Sequence, residues 1–240
     1  MAQRSRIGLV VLALVAVGTL AASCSAVGKI RQAVHTVEGN KATIDLFNQN
    51  LQSTTNAPFE ATYATTGSSP STVVYAVDPS IGGLAFHDTQ TGSNPSNVQV
   101  IVNSSGEYLC NQSGSAGSWS CQKQSKADAA TQNKIFDIYT PSHWITFLKG
   151  ASLVAGLAGD KVTTSTKSLN GFDMQCVDLV AKGVSGTSTI CSTSQGILGY
   201  VSVASDSTSF QITNYSSSPA PSLFQLPPGA TVTTLTTPTT

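Results

Sequence analysis

Four cysteines beyond residue 100 are able either to form disulfides or to bind a metal: Cys110, Cys121, Cys176 and Cys191. They allow three pairings. The local spacing favours Cys110 with Cys121 and Cys176 with Cys191, because a stretch with glycine turn signals separates the members of each pair. No C-x-x-C motif occurs, and no histidine stands at ligand spacing from another, which disfavours zinc. We therefore predict two structural disulfides, no metal site and a location outside the cytoplasm.

The residues that could perform nucleophilic or acid–base catalysis are scattered along the chain. No G-x-S-x-G, G-x-x-x-x-G-K or G-x-G-x-x-G motif is present. His35, His87 and His143 have no partner at a recognisable spacing, and Asp173 and Asp178 fall on opposite faces of a predicted strand. We expect no catalytic site and no cofactor. The alternative is an exported hydrolase that gathers His87 or His143 with a carboxylate.

The N-terminal segment ends at a fifth cysteine, Cys24, which has chemistry of its own. Two arginines precede an uncharged run over residues 7–22, which is the pattern of a secretory signal and is short for a membrane span of about 20 residues. The sequence Leu20-Ala21-Ala22-Ser23-Cys24 resembles a bacterial lipobox. The resemblance implies removal of residues 1–23 and a diacylglycerol on the Cys24 thiol. We expect this lipid to anchor the protein to the outer face of the bacterial cell membrane, with an uncleaved anchor helix or a plain secreted protein as alternatives.

The composition excludes several classes of protein. Only 10% of the 240 residues are charged, with 12 basic and 12 acidic side chains, whereas soluble domains carry about 25%. A zero net charge without a basic block argues against a nucleic-acid partner. A hydrophobic share of 40% is too high for a disordered chain. A folded, hydroxyl-rich, extracytoplasmic protein is the class that remains.

The elements that must position these residues follow from hydrophobic periodicity. Residues 24–40 are predicted to be a tether, and residues 41–52 a helix. From residue 58 the period changes to two, which predicts an antiparallel meander of six short strands. Two helical segments follow at 127–139 and 143–159, the second apolar on more than one side. Five more strands lie between residues 161 and 215, and residues 230–240 are predicted to be a disordered Thr-rich tail.

This order of elements resembles that of the LolA-like lipoprotein-carrier superfamily, which includes the LppX-like and LprG-like carriers. The resemblance extends to the ending Phe224-Gln225-Leu226-Pro227-Pro228-Gly229-Ala230. The resemblance implies that residues 41–229 form one α+β domain. In that fold a strongly curved antiparallel β-sheet forms a half-barrel, and helices cover its open concave side. An acyl chain or glycolipid lies between the two layers.

The resemblance also implies that the ligand is a hydrophobic small molecule or lipid, bound without catalysis. It names no protein partner. The ligand would lie between sheet residues and the covering segment, and the implied contacts are Tyr75, Phe86, Val100, Phe136, Trp144, Phe147, Leu148, Leu153 and Val154. An acyl chain leaving a membrane exposes about 0.8 kcal/mol per methylene, which such apolar walls must replace. Two alternatives stay open: these side chains fill a closed core, or the fold displays a surface for protein interaction or envelope sensing.

Overall fold

A computed structural model describes residues 47, 49–50, 57–67, 70–91, 95–114, 117–125, 161–180, 185–202, 204 and 209–234. Within them lie twelve strands: β1 (Phe59–Thr65), β2 (Ser71–Asp78), β3 (Gly83–Gln90), β4 (Ser96–Asn103), β5 (Gly106–Ser113), β6 (Ser120–Lys123), β7 (Lys161–Leu169), β8 (Phe172–Val180), β9 (Ser188–Thr193), β10 (Leu198–Ser202), β11 (Ser209–Ser216) and β12 (Thr231–Thr234). Strands β1 to β11 lie where the period-two pattern predicts them.

All twelve strands belong to one sheet, in the order β12-β6-β5-β4-β3-β2-β1-β11-β10-β9-β8-β7. Strands β1 to β6 form one antiparallel meander and β7 to β11 form another. The two meanders join through antiparallel pairing of β1 with β11. Only β12 breaks this pattern among the described strands, because it runs parallel to β6.

The predicted α+β half-barrel is wrong. The described residues form a nearly all-β, open twelve-stranded sheet, without helices layered over a concave side. Their helical parts are two short 3₁₀ turns, at Pro79–Ile81 and Pro221–Phe224, together with residues 47 and 49–50. The predicted helices at 127–139 and 143–159 lie outside the described residues. The half-barrel and its helical cover were implied by the resemblance, whereas here the second meander extends the first meander edge to edge.

Both predicted disulfides are confirmed. Cys110 bonds to Cys121 and Cys176 bonds to Cys191, each with Cα atoms 4.0 Å apart. Each pair occupies directly opposite positions, on β5 and β6 and on β8 and β9 respectively. Such bonds form and persist in oxidising compartments, so they indicate a non-cytoplasmic location.

Residues 220–234 form a segment, here called the C-terminal strap, that lies across one face of the first meander. Phe224 is buried against Ala76 and Ala85, and Leu226 packs on a buried cluster that contains Ile101 and Tyr108. A Cβ on Gly83 would lie 2.9 Å from the ring of Phe224, so the ring's approach requires glycine at this position.

The strap ends in β12, and this differs from the predicted disordered tail. Thr231–Thr234 pair with Ser120–Lys123 of β6, although all four residues of β12 are exposed. The amide of Thr231 donates to the carbonyl of Trp119 at 3.0 Å. Backbone hydrogen bonding to an edge strand requires no apolar side-chain pattern, which is why the Thr-rich sequence did not reveal this strand. Residues 235–240 lie outside the described residues.

Candidate functional site

The face of the first meander opposite the strap carries a row of large apolar side chains, here called the aromatic face: Phe59, Tyr63, Tyr75, Phe86 and Val100. Each is at most 1% exposed. Because side chains alternate along a strand, every second residue of β1 to β4 points to this face. Its members belong to one hydrophobic cluster.

Three sequence-predicted ligand contacts come together on the aromatic face. Tyr75 stands directly opposite Phe86, and Phe86 stands directly opposite Val100, on three successive strands. Directly opposite residues on one face pack against each other, so the three form a continuous apolar band across the sheet. The other six predicted contacts, Phe136, Trp144, Phe147, Leu148, Leu153 and Val154, lie outside the described residues, as does Cys24.

Aromatic contacts connect the band to neighbouring strands. The rings of Phe59 and Tyr75 are tilted by 49° with centroids 5.9 Å apart. Tyr63 stacks on Phe210 of β11 with centroids 4.2 Å apart and an interplanar angle of 18°. Aromatic rings attract one another in stacked and tilted pairs of this kind. They carry the apolar surface across the β1–β11 junction between the two meanders.

The second meander contributes side chains to the same cluster, among them Met174, Cys176, Cys191 and Ile197. The turn between β7 and β8 reaches the junction, since Asn170 Nδ2 donates to the carbonyl of Ile212 at 2.8 Å. The Cys176–Cys191 disulfide therefore packs with the aromatic face. The Cys110–Cys121 disulfide lies in the separate cluster under the strap, on the opposite face of β5.

Asp88 places a carboxyl group at the margin of the aromatic face, a feature that the sequence analysis missed. It follows Phe86 by two residues on β3, stands opposite Val73 and Val98, and is only 6% exposed. Counting by twos from Phe86 would have found it, because that count places position 88 on the buried side.

One oxygen of this carboxyl lacks a hydrogen bond. Gln90 Nε2 lies 3.5 Å from Oδ2, and the hydroxyl of Ser71 also bonds to the carboxyl. Oδ1 is buried, and no described group donates to it. Burial raises the pKa of Asp88 above its ordinary value, against the opposing effect of the Ser71 and Gln90 hydrogen bonds.

The polar groups around Asp88 form a chain along one end of β1 to β4. The hydroxyls of Thr65 and Ser71 lie 3.0 Å apart, and Ser96 Oγ donates to Gln90 Oε1 at 3.2 Å. Hydroxyl and amide groups therefore border the aromatic face at this end. They hold Asp88 without supplying a positive charge.

His87 lies on the opposite face of β3, next to the strap. It hydrogen-bonds the backbone of Leu223, and Glu60 Oε2 accepts from the amide of Ala220 at 3.0 Å. Burial lowers the pKa of His87, while the Leu223 hydrogen bond and the charge of Glu60 act in the other direction. His87 therefore lies on the strap side of the sheet. His143, which the hydrolase alternative also considered, lies outside the described residues, and so does His35.

Within the described ranges, no group of three or more His, Cys, Asp or Glu side chains is placed to hold a metal ion. In the same part of the chain, no helix is both long and apolar enough to cross a membrane.

Comparisons with solved structures find distant likenesses to this chain. No family model matches the chain, and no curated protein matches it. The chain is similar to an uncharacterized conserved protein from Thermus thermophilus, with a TM-score of 0.44 and 6% sequence identity, over 80% of this chain and 98% of that chain. A likeness at this level assigns neither a family nor a function.

Proposed function

We propose that this protein is a cell-envelope lipoprotein, anchored through a lipid on Cys24, that binds a hydrophobic ligand without changing it covalently. The observation that carries the proposal is the continuous apolar band of Tyr75, Phe86 and Val100. The lipobox-like sequence and the two disulfides agree with an extracytoplasmic location.

Ligand binding requires that side chains packed against the aromatic face, such as those of the second meander, move aside, since the face is fully buried in the structure. An acyl chain that replaces these side chains would exchange one apolar contact for another, so the net cost of opening is partly recovered. The strap lies on the other side of the sheet. It therefore stays in place while the aromatic face opens.

The proposal is tested on the full chain purified from its native membrane, by native mass spectrometry and by organic extraction of noncovalent lipid. The matched variants are Phe86→Ala, on the aromatic face, and Leu226→Ala, on the strap side. We expect copurified lipid on the wild type and on Leu226→Ala, and a marked loss on Phe86→Ala. Absence of noncovalent lipid from the wild type, or equal loss in both variants, would overturn the proposal.

A second function is favoured by the outer edge of the sheet. β7 is the last strand in the order and pairs with β8 alone among the described strands. Residues 163–166 are all exposed. Such an edge presents backbone donors and acceptors to an added strand, as in β-augmentation. The protein would then act as an interaction or sensing module, and residue-specific crosslinking from β7 in intact cells would recover its partner.

A further inference from the structure

Asp88 is the buried charged side chain in the described core, and its surroundings favour a particular ligand head group. Its cross-strand neighbours are Val73, which is 2% exposed, and Val98, which is 6% exposed. An ionisable side chain is almost never this buried unless it is paired. Here the described partners are neutral, and Oδ1 has none.

An acceptor buried without a donor costs about 1–3 kcal/mol, and the cost is greater when the group is charged. A ligand that brings one donor to Oδ1 recovers that cost on binding. The acceptor lies two residues along β3 from Phe86, or about 7 Å, so a head group at Asp88 places the rest of the ligand on the aromatic face. The margin thus joins a polar contact to an apolar surface, as ligand sites commonly do.

We propose that Asp88 Oδ1 accepts a hydrogen bond from the hydroxyl head group of an apolar ligand, and that the site therefore selects alcohol-bearing lipids over fatty-acid anions. This inference rests on the proposed function, because it assumes that the aromatic face binds the ligand's hydrocarbon part. It adds the chemical class of the head group.

The choice of a hydroxyl follows from the charges that the site can bear. A carboxylate head would bring a second negative charge beside Asp88 in a poorly hydrated place, which is unfavourable. An ammonium head is a compact, strongly hydrated charge, and the pair must repay the desolvation of both ions. A hydroxyl brings one donor without a charge, and it also pairs with a protonated carboxyl, which retains acceptor capacity. Burial raises the pKa of Asp88, which is consistent with a neutral guest.

The test offers equimolar oleyl alcohol and oleate to the full chain in detergent micelles at pH 8, and native mass spectrometry reads the ratio of the two adducts. We expect the wild type to favour the alcohol by about tenfold, the value of one hydrogen bond. Asp88→Asn removes the charge and supplies amide donors, so the ratio should fall and oleate uptake should rise. Asp173→Asn is the matched control, because it removes a carboxylate at an exposed position of β8.

A third probe, oleyl methyl ether, tests the wild type alone and does not depend on any variant's folding. It has the same chain but no donor, so it should bind about tenfold more weakly than the alcohol. Equal binding of the ether and the alcohol, or an unchanged ratio in folded Asp88→Asn, would overturn the inference while the proposed function stands. If none of the three probes binds the wild type, the proposed function itself fails.

Discussion

Truncation of Phe224 tests whether one aromatic side chain holds the C-terminal strap on the sheet. The ring is 4% exposed and packs on Ala76 and Ala85, both fully buried. The backbone carbonyl of the same residue accepts a hydrogen bond from Asn103 Nδ2 at 2.9 Å. Phe224→Ala removes the ring and leaves that hydrogen bond possible, so the variant isolates the packing contribution.

Replacing a buried Phe with Ala typically costs about 3–5 kcal/mol. The strap lies outside both meanders, and among the described strands its β12 pairs with β6 alone. It can therefore open without unfolding the sheet, and local opening takes up the cost before global unfolding does. A loss of about 3 kcal/mol corresponds to an increase of about 150-fold in the open fraction of the strap.

Native-state hydrogen exchange reads this opening at the amide of Thr231, which donates to the carbonyl of Trp119 at 3.0 Å. We expect its protection to fall by about 150-fold in Phe224→Ala. The amides of the β2–β3 ladder should change far less. Leu223→Ala, at a half-buried neighbour, is the control and should have a smaller effect. Unchanged protection at Thr231 in Phe224→Ala would refute the account of the strap.

Three further predictions concern buried ionisable groups and one disulfide. For Asp88 the folded-state pKa is raised from 3.8, so its contribution to the free energy of unfolding is full below pH 3.8 and is lost as the pH rises through the raised pKa. The free energy of unfolding of Asp88→Asn, measured with urea, should therefore depend less on pH in that range, and an equal pH dependence in the wild type and the variant would contradict this. For His87 the folded-state pKa is lowered from 6.5, so its contribution to the free energy of unfolding is present above pH 6.5 and is lost as the pH falls through the lowered pKa. In His87→Gln the melting temperature should therefore fall less steeply as the pH drops below 6.5. The same decrease of melting temperature in the variant and the wild type would count against burial as the cause. Replacing Cys176 and Cys191 with serine opens a loop with a sequence separation of 15 and should lower the free energy of unfolding by about 3 kcal/mol. Urea titration without reductant measures this difference, and equal midpoints and slopes for the wild type and the serine variant would exclude it.

The strand positions were predictable because alternation of apolar and polar side chains is local. Most strands from β1 to β11 are bounded by turn signals, and directly opposite cysteines belong to neighbouring strands of a meander. The joining of the two meanders was not predictable in this way. The pairing of β1 with β11 links residues about 150 positions apart in sequence, and no local pattern in either strand specifies that partner.

Part of the candidate site could likewise be predicted from the sequence and part could not. The resemblance implied Tyr75, Phe86 and Val100 as sheet contacts of the ligand, and their mutual register follows from short turns within one meander. Asp88 was overlooked because a carboxylate in a strand is ordinarily assigned to the solvent side. The prediction of strand positions was right, but the face of this residue needed the count from Phe86.

The cost of burying Asp88 separates a filled core from a ligand site. In a core that serves packing alone, valine at this position would match Val73 and Val98 on either side and would remove an unsatisfied acceptor worth about 1–3 kcal/mol. Such a substitution should then stabilise the fold without further effect. If the carboxyl serves a ligand, the same gain in stability comes with loss of the preference for an alcohol head group. Stabilising changes that reduce function are the usual result where a strained or unsatisfied group belongs to a binding site, so stability and ligand preference must be measured on the same Asp88→Val protein.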